Sequence, residues 1–254
     1  MLKKVIQSAA EKFGYRISKI HTEAGPHEAT RRSLRELVRP YTMTSDERID
    51  AMIDSVTYVV KNRIPGDIVE CGVWRGGNLM LAVRLLDQLE PGSRRLIWAY
   101  DTFAGMTEPS ELDDMPGENV REQWEQNQKA SGENSWSFAS IEEVRSNLAM
   151  AGGSPGRFRL VKGPVEETLK AAENLPSQIA LLRLDTDWYA STKAELEILY
   201  PRTVDGGVCI IDDYGHYEGA RKAVDEYFGH LGTFPLLHRI DYTARSFVKV
   251  PRGN

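Results

Sequence analysis

The feature that most constrains this chain is an alternation, from residue 66 onward, between short apolar runs and longer segments of helical periodicity. The runs are Asp67–Cys71, Arg95–Tyr100, Arg157–Val161, Ile179–Leu184 and Gly207–Ile211, and each reads as a buried strand. Between and after them, apolar residues recur three or four apart at Asn78–Gln88, Ile141–Met150, Val165–Ala172, Ser191–Leu199 and Ala220–Phe228, which predicts helices. A right-handed crossover helix is the usual route from one parallel strand to the next. The alternation therefore predicts an α/β fold with a doubly wound, mostly parallel sheet covered on both faces. Two final runs, Leu236–Ile240 and Ser246–Val250, have no helix between them and read as a C-terminal hairpin.

Two segments break the rhythm, and either could cover the carboxyl edge of the sheet, where open α/β folds bind ligands. Residues 1–64 read as an N-terminal helical extension, a cap or lid on a main domain of residues 65–254. It carries amphipathic helices at about Leu2–Phe13 and Glu47–Asn62, separated by a polar, basic stretch and by Pro40-Tyr-Thr-Met-Thr44. Residues 104–140 contain Pro109, Pro116, Gly117 and Gly132, with acids at Glu108, Glu111, Asp113 and Asp114. A loop of that length is usually functional or disordered, so a substrate lid and a mobile insertion are both open readings.

Charge and composition remove whole classes of function. Lys and Arg number 32 against 37 Asp and Glu, a formal net charge of -5, without the basic excess a nucleic-acid binder needs. The longest apolar stretches, such as Ile179–Leu182, stop far short of the roughly 20 residues that span a bilayer, so no membrane helix is expected. Gln7, Ser8, Glu11 and Lys12 interrupt the apolar core a signal peptide would need. Cys71 and Cys209 sit inside strand-like runs and are too few for a disulfide scaffold, so a cytoplasmic protein is expected. Apolar Val5, Ile6 and Phe13 could form a homo-oligomer contact or pack on the core.

Three constellations carry chemistry. The first, Glu70-Cys-Gly-Val-Trp-Arg-Gly-Gly77, lies where the first strand turns into its helix. Gly72, Gly76 and Gly77 there let backbone approach a ligand or simply make a tight turn. The second is Asp101 at the end of the second strand, where an acid accepts hydrogen bonds from both ribose hydroxyls of an adenosine or caps a turn. The third is Asp185-Thr-Asp187 with Asp212-Asp213, at the ends of the fourth and fifth strands. Four carboxylates crowding one cleft need protons or a cation, and oxygen-only donors point to a hard cation such as Mg²⁺. Alternatively, Asp187 and Asp213 cap the helices that follow. His216, three residues after Asp213, could reach the cleft as a base or substrate contact, or lie in a surface loop. Trp188 and Tyr189 could stack on a sugar or belong to the core.

Pro40-Tyr-Thr-Met-Thr-Ser45, Gly66-Asp-Ile-Val-Glu-Cys-Gly-Val-Trp-Arg-Gly-Gly77, Asp101-Thr-Phe-Ala-Gly-Met106, Leu184-Asp-Thr-Asp-Trp-Tyr-Ala-Ser-Thr192 and Asp212-Asp-Tyr-Gly215 stand in this order. With them the chain closely resembles the macrocin O-methyltransferase family from about residue 38 onward. The resemblance implies a Rossmann-like class I methyltransferase with a seven-stranded sheet, and S-adenosylmethionine- and divalent-metal-dependent methylation of a hydroxyl, in several members a sugar hydroxyl of an antibiotic. It implies metal ligation by Asp185, Asp212 and Asp213. Cofactor contacts would come from Thr42 and Met43, from Glu70, Cys71, Gly72, Val73, Trp74, Arg75, Gly76 and Gly77, and from Asp101, Thr102, Phe103 and Gly105. Ser140, Gly163, Val165, Glu166 and Asp185 would add to them. With the metal on three acids, Asp187 is the expected base, and His216 is the other candidate besides Asp185. The expected acceptor is a small glycosylated molecule. Two rival readings are a glycosyltransferase using Asp185-x-Asp187 to hold a metal under a nucleotide sugar, and a non-catalytic cofactor-binding protein.

Overall fold

The apolar runs emerge as strands of one seven-stranded mixed sheet, ordered β3-β2-β1-β4-β5-β7-β6, in a computed structural model that describes residues 26–113, 115 and 117–251. The expected helix Leu2–Phe13, with Val5, Ile6 and Phe13, and the residues Asp114 and Pro116 lie outside the described residues. The chain divides into two compact units, Met1–Ser33 and Leu34–Asn254, and the sheet belongs to the second. Its strands are β1 (Asp67–Cys71), β2 (Ile97–Asp101), β3 (Phe158–Lys162), β4 (Ile179–Leu184), β5 (Thr203–Ile211), β6 (His238–Arg239) and β7 (Arg245–Val248). Strands β1 to β5 pair in parallel, whereas β7 runs antiparallel to β5 and β6 antiparallel to β7. The predicted parallel sheet with a terminal hairpin is thus the observed one. No helix among the described residues is long and apolar enough to cross a membrane.

The runs are continuously apolar because both faces of the sheet are covered. Alternate residues of each central strand enter opposite cores. Ile68, Leu181, Val208 and Ile210 join one cluster with α2 (Asp46–Lys61), α3 (Gly77–Leu89) and α5 (Ile141–Met150). Val69, Cys71, Leu182, Leu184, Cys209 and Ile211 join the other, with α7 (Tyr189–Ile198) and α8 (Glu218–Leu231). Ser45 caps α2, its hydroxyl accepting from the Arg48 amide at 3.2 Å.

Element ends moved where local chemistry outweighed pattern. The helix expected over Val165–Ala172 is a single turn, α6 (Val165–Thr168), followed by a 3₁₀ turn at Ala172–Asn174. The hairpin strands are shorter than Leu236–Ile240 and Ser246–Val250. The Asp241 carboxylate closes the turn between them by accepting from the amides of Thr243 (2.9 Å) and Ala244 (2.8 Å), and it leaves Leu236 and Val250 exposed. The polar, basic stretch before Pro40 is helical, α1 (Pro26–Val38), because Leu34, Leu37 and Val38 form a stripe that packs on the first cluster.

The 104–140 insertion carries α4 (Val120–Gln126) and a small core of its own, in which Val120 meets Trp188, Tyr217 and Ala220. Its Asp113 is buried and accepts from the Tyr189 amide at 2.6 Å, capping α7, and the Trp188 indole donates to the Thr107 carbonyl at 3.0 Å.

Gly72 marks how tightly the ends of β1 and β4 are apposed. A Cβ there would stand 1.8 Å from the Asp185 carbonyl oxygen, at φ +76, whereas one at Gly92, φ +78, meets open space. Gly92→Ala is expected to lose about 1–2 kcal/mol, the conformational cost alone. Gly72→Ala is expected to lose about 3 kcal/mol or more, because the β4 end must shift as well. Urea denaturation of both variants checks this, and equal losses would count against rigid apposition.

Candidate active site

Reversal of the winding between β1 and β4 opens a crevice at the carboxyl ends of the strands. Register does the rest. Cys71 pairs with Leu184 and Leu184 with Ile211, so the next residues, Gly72, Asp185 and Asp212, come side by side beyond the sheet. The amide of Asp185 donates to the Cys71 carbonyl, and that of Asp212 to the Leu184 carbonyl, both at 2.9 Å. Asp101, at the end of β2, clasps two turns at once. One of its oxygens accepts from the amides of Val73 (2.8 Å) and Trp74 (3.1 Å), the other from that of Phe103 (2.8 Å). It is a turn cap and also a wall of the cavity beside it.

A buried cation organises the acids. Arg183 of β4 lies opposite Glu70 in register and donates to Glu70 (2.7 Å), Asp185 (2.5 Å) and Asp212 (2.5 Å). Arg48 of α2 reaches the other oxygen of Asp212 and pairs through Nε with Asp241 at 3.0 Å. Asp185, Asp187 and Asp213 form a trio that shares Asp185 with that set, with one carboxylate oxygen of each within 4.8 Å of the others. Burial pushes the carboxyls of Asp185 and Asp213 well above the usual range, and neighbouring acids add to the effect. Burial likewise raises Asp187 to about 8, against a hydrogen bond with Asp213. Glu70 is raised to about 7 by burial, opposed by Arg183 and by the Asn78 amide, which donates to it at 3.0 Å. Crowded, desolvated oxygen donors of this kind fit a hard divalent cation, which would relieve their repulsion. The His216 imidazole is held below its ordinary value by burial, and its Nδ1 lies 3.3 Å from the Tyr242 hydroxyl.

Two cavities meet at these acids. The first runs from Met43 and Gly72 past Asp101, Thr102 and Gly105 to Gly163, Val165 and Glu166. The second is walled by Tyr41, Thr42, Trp136, His216, Tyr217 and Tyr242 over a floor of Glu70, Asp212 and Asp213. Met43, Trp74, Ser137, Asp185 and Asp187 line both. An elongated cofactor and an acceptor can therefore approach each other across the two acids.

The model of the macrocin-O-methyltransferase (TylF) family matches residues 4–249. The chain belongs to that family. It is an O-methyltransferase that uses S-adenosylmethionine, and the rival readings of Asp185-x-Asp187 as a glycosyltransferase motif, or of a non-catalytic protein, fall away. Over 203 residues it is 32% identical to the 8-demethyl-8-(2,3-dimethoxy-alpha-L-rhamnosyl)-tetracenomycin-C 4'-O-methyltransferase of Streptomyces olivaceus, covering 80% of this chain and 73% of that one. Over 242 residues it is 28% identical to the mycinamicin III 3''-O-methyltransferase of Micromonospora griseorubida, covering 95% and 91%. Among solved structures it superposes on the O-methyltransferase NovP with a TM-score of 0.70 at 30% identity, covering 83% of each chain.

Within this methyltransferase the expected cofactor residues divide. Met43, Gly72, Trp74, Asp101, Thr102, Gly105, Gly163, Val165, Glu166 and Asp185 line the first cavity. Thr42, Glu70 and Val73 line the second. The others line neither cavity. Cys71 and Phe103 are buried in the two cores, and Ser140 caps α5 by accepting from the Glu143 amide. Arg75 pairs with Glu143 and lies over Tyr41 and Trp74, while Gly76 and Gly77 give way to Val144 and to Tyr41. Asp212, expected as a metal ligand, is engaged by two guanidinium groups, and Asp187, expected as the base, sits in the trio. Sequence reasoning missed Arg183, Arg48, Thr186, Trp136 and Tyr242. Only Arg183 left a signal, as an arginine inside an otherwise apolar strand, which has to find buried acids.

A carboxyl whose pKa is higher folded than unfolded stabilises the fold at low pH. That contribution is lost as pH rises from its ordinary value, near 4.5, through about 7. The wild type is therefore expected to lose more stability between pH 5 and 8 than Glu70→Gln, by up to about 3 kcal/mol. Urea denaturation at the two pH values measures this, and parallel slopes would mean that Glu70 ionises in the fold as it does in the unfolded chain.

Proposed function

We propose that this protein methylates a hydroxyl on the sugar of a glycosylated secondary metabolite of the antibiotic type, in the cytoplasm, with a divalent cation held at the acid cleft. The meeting of the two cavities at Asp185 and Asp187 carries the reading. The relatives support the acceptor class, since the tetracenomycin enzyme is named for a rhamnosyl substrate.

Asp185, Asp212 and Asp213 are the proposed cation ligands. Two guanidinium groups do not disqualify Asp212, because a carboxylate offers about four lone-pair positions. A bound divalent cation supplies a lowered pKa and a fixed position for the acceptor hydroxyl. The remaining work falls to side chains of this chain. Asp187 takes the hydroxyl proton as the oxygen forms its bond to the methyl carbon and the carbon–sulfur bond of the sulfonium breaks. The glycine turn at Gly72 and the carboxylate of Asp101 seat the cofactor. Met43 and Trp74, which line both cavities, keep water from the line of displacement, where alignment supplies much of the rate. The cap expected over residues 1–64 acts through Tyr41, Thr42 and Met43, which line the cavities, and residues 104–140 act as a lid that helps choose the acceptor. Trp136 and Ser137, from that insertion, line the second cavity.

Calorimetric titration of S-adenosylhomocysteine and of Mg²⁺ into wild type and an Asp212→Ala/Asp213→Ala variant tests the scheme. Cofactor binding is expected in both proteins and metal binding only in the wild type. Failure of the wild type to bind S-adenosylhomocysteine would overturn the assignment of the first cavity. Asp187→Asn is expected to keep cofactor and metal affinity within a few fold while turnover on a glycosylated acceptor falls about 100-fold or more. Loss of metal affinity in that variant would move Asp187 into the ligand set and leave His216 as the base.

A further inference from the structure

The mechanism leaves one buried acid without a task. Glu195 of α7 is fully buried beneath the floor of the cleft, and its Oε1 accepts from the Thr186 hydroxyl at 2.9 Å, while Oε2 has no hydrogen-bond partner. Burial drives its carboxyl well above the usual range, and it lies beside the Cys71 thiol. A buried carboxyl in a helix is costly unless something needs it. Besides Cys71 it touches Thr186, the middle of the turn that carries Asp185 and Asp187.

That turn is unusual. Asp187 has φ +69, a left-handed backbone that a residue with a side chain adopts at a cost of about 1–2 kcal/mol and keeps only when its surroundings over-determine it. Three interactions converge on Thr186. Its carbonyl accepts from the Trp188 amide (2.8 Å) and the Ser191 hydroxyl (3.3 Å), and its own hydroxyl donates to Glu195. The first two close the turn locally. Ser191 belongs to the first turn of α7, and Glu195, one turn further along the same helix, adds a second tie through the Thr186 side chain.

We propose that Glu195 is a positioning residue for the Asp185-Thr186-Asp187 turn, holding through the Thr186 hydroxyl the left-handed backbone that presents Asp187 to Asp213. The proposal rests on the reading of this cleft as the reacting centre. What Glu195 supplies is an acceptor oxygen rather than a charge, so an amide of the same shape can replace it.

The test uses the full chain with Mn²⁺ as the probe, followed by electron paramagnetic resonance, together with crystal structures of the variants. Thr186→Val keeps the side-chain shape and removes the hydroxyl. It is expected to weaken Mn²⁺ binding at least 5-fold and to move residue 187 out of the left-handed region, with S-adenosylhomocysteine affinity within 3-fold. Glu195→Gln is expected to stay within 2-fold of wild type, Glu195→Leu to weaken Mn²⁺ binding as Thr186→Val does, and the double variant Thr186→Val/Glu195→Leu to be no worse than the poorer of these two single variants, as for two partners of one interaction. An unchanged backbone at residue 187 in Thr186→Val overturns the proposal, and so does a Glu195→Gln variant as impaired as Thr186→Val. Absence of Mn²⁺ binding by the wild type counts against the cation reading of the cleft alone, and the backbone at residue 187 then decides the proposal.

Discussion

Everything at the reacting end of this protein depends on one buried guanidinium. Arg183 projects from the central strand β4 and is met by Glu70 from β1, Asp185 from its own strand end and Asp212 from β5. Three carboxylates could not be buried together there without it, since removing one partner of such a set leaves charge in a medium that cannot solvate it. The same cation forces the geometry, because its donors sit in a rigid planar fork and each acid has to come to it. The parallel register that places Glu70 opposite Arg183 is therefore also what brings the strand ends together as a site.

Around that centre, the fold divides its labour between permanent and exchangeable neutralisation. Glu70 and Asp212 are paired with arginine, with Arg48 anchored in turn to Asp241 on the terminal hairpin. Asp185 shares that arginine only in part, and Asp187 and Asp213 lean on each other. The trio thus gathers raised, proton-holding carboxyls at the point where the two cavities join. That is the place proposed for the transfer, in which an alcohol, a poor nucleophile, has to lose its proton in line with a sulfonium.

Much of this was legible in the chain, and the reasons differ by element. The strand runs announced themselves because a sheet covered on both faces needs apolar residues at successive positions, and the lengths of β1 and β4 follow directly. The glycine turn and the acids at strand ends were legible because backbone approach and carboxylate chemistry each admit few residue types. Helix α1 was hidden by its charged residues, since only Leu34, Leu37 and Val38 mark its inner face. The partners of the acids were hidden for another reason. Arg48 lies 164 residues from Asp212 and Glu195 nine from Thr186, and neither spacing has a periodicity that sequence can display.

Sequence by itself determined the order of strands and helices, the hydrophobic division between two cores and the kind of chemistry at the strand ends, because these depend on local pattern and residue type. The tertiary structure alone decided which acids are neutralised by arginine and which face the cavities. It also decided that Cys71 is buried, that Arg75 pairs with Glu143 and Ser140 caps a helix, and that Thr186 and Trp136 line cavities. The physical reason is that an ion pair or hydrogen bond in a desolvated site is specified by three-dimensional apposition to within an ångström. The sequence fixes which groups are available to meet, and packing of the two cores fixes which of them do.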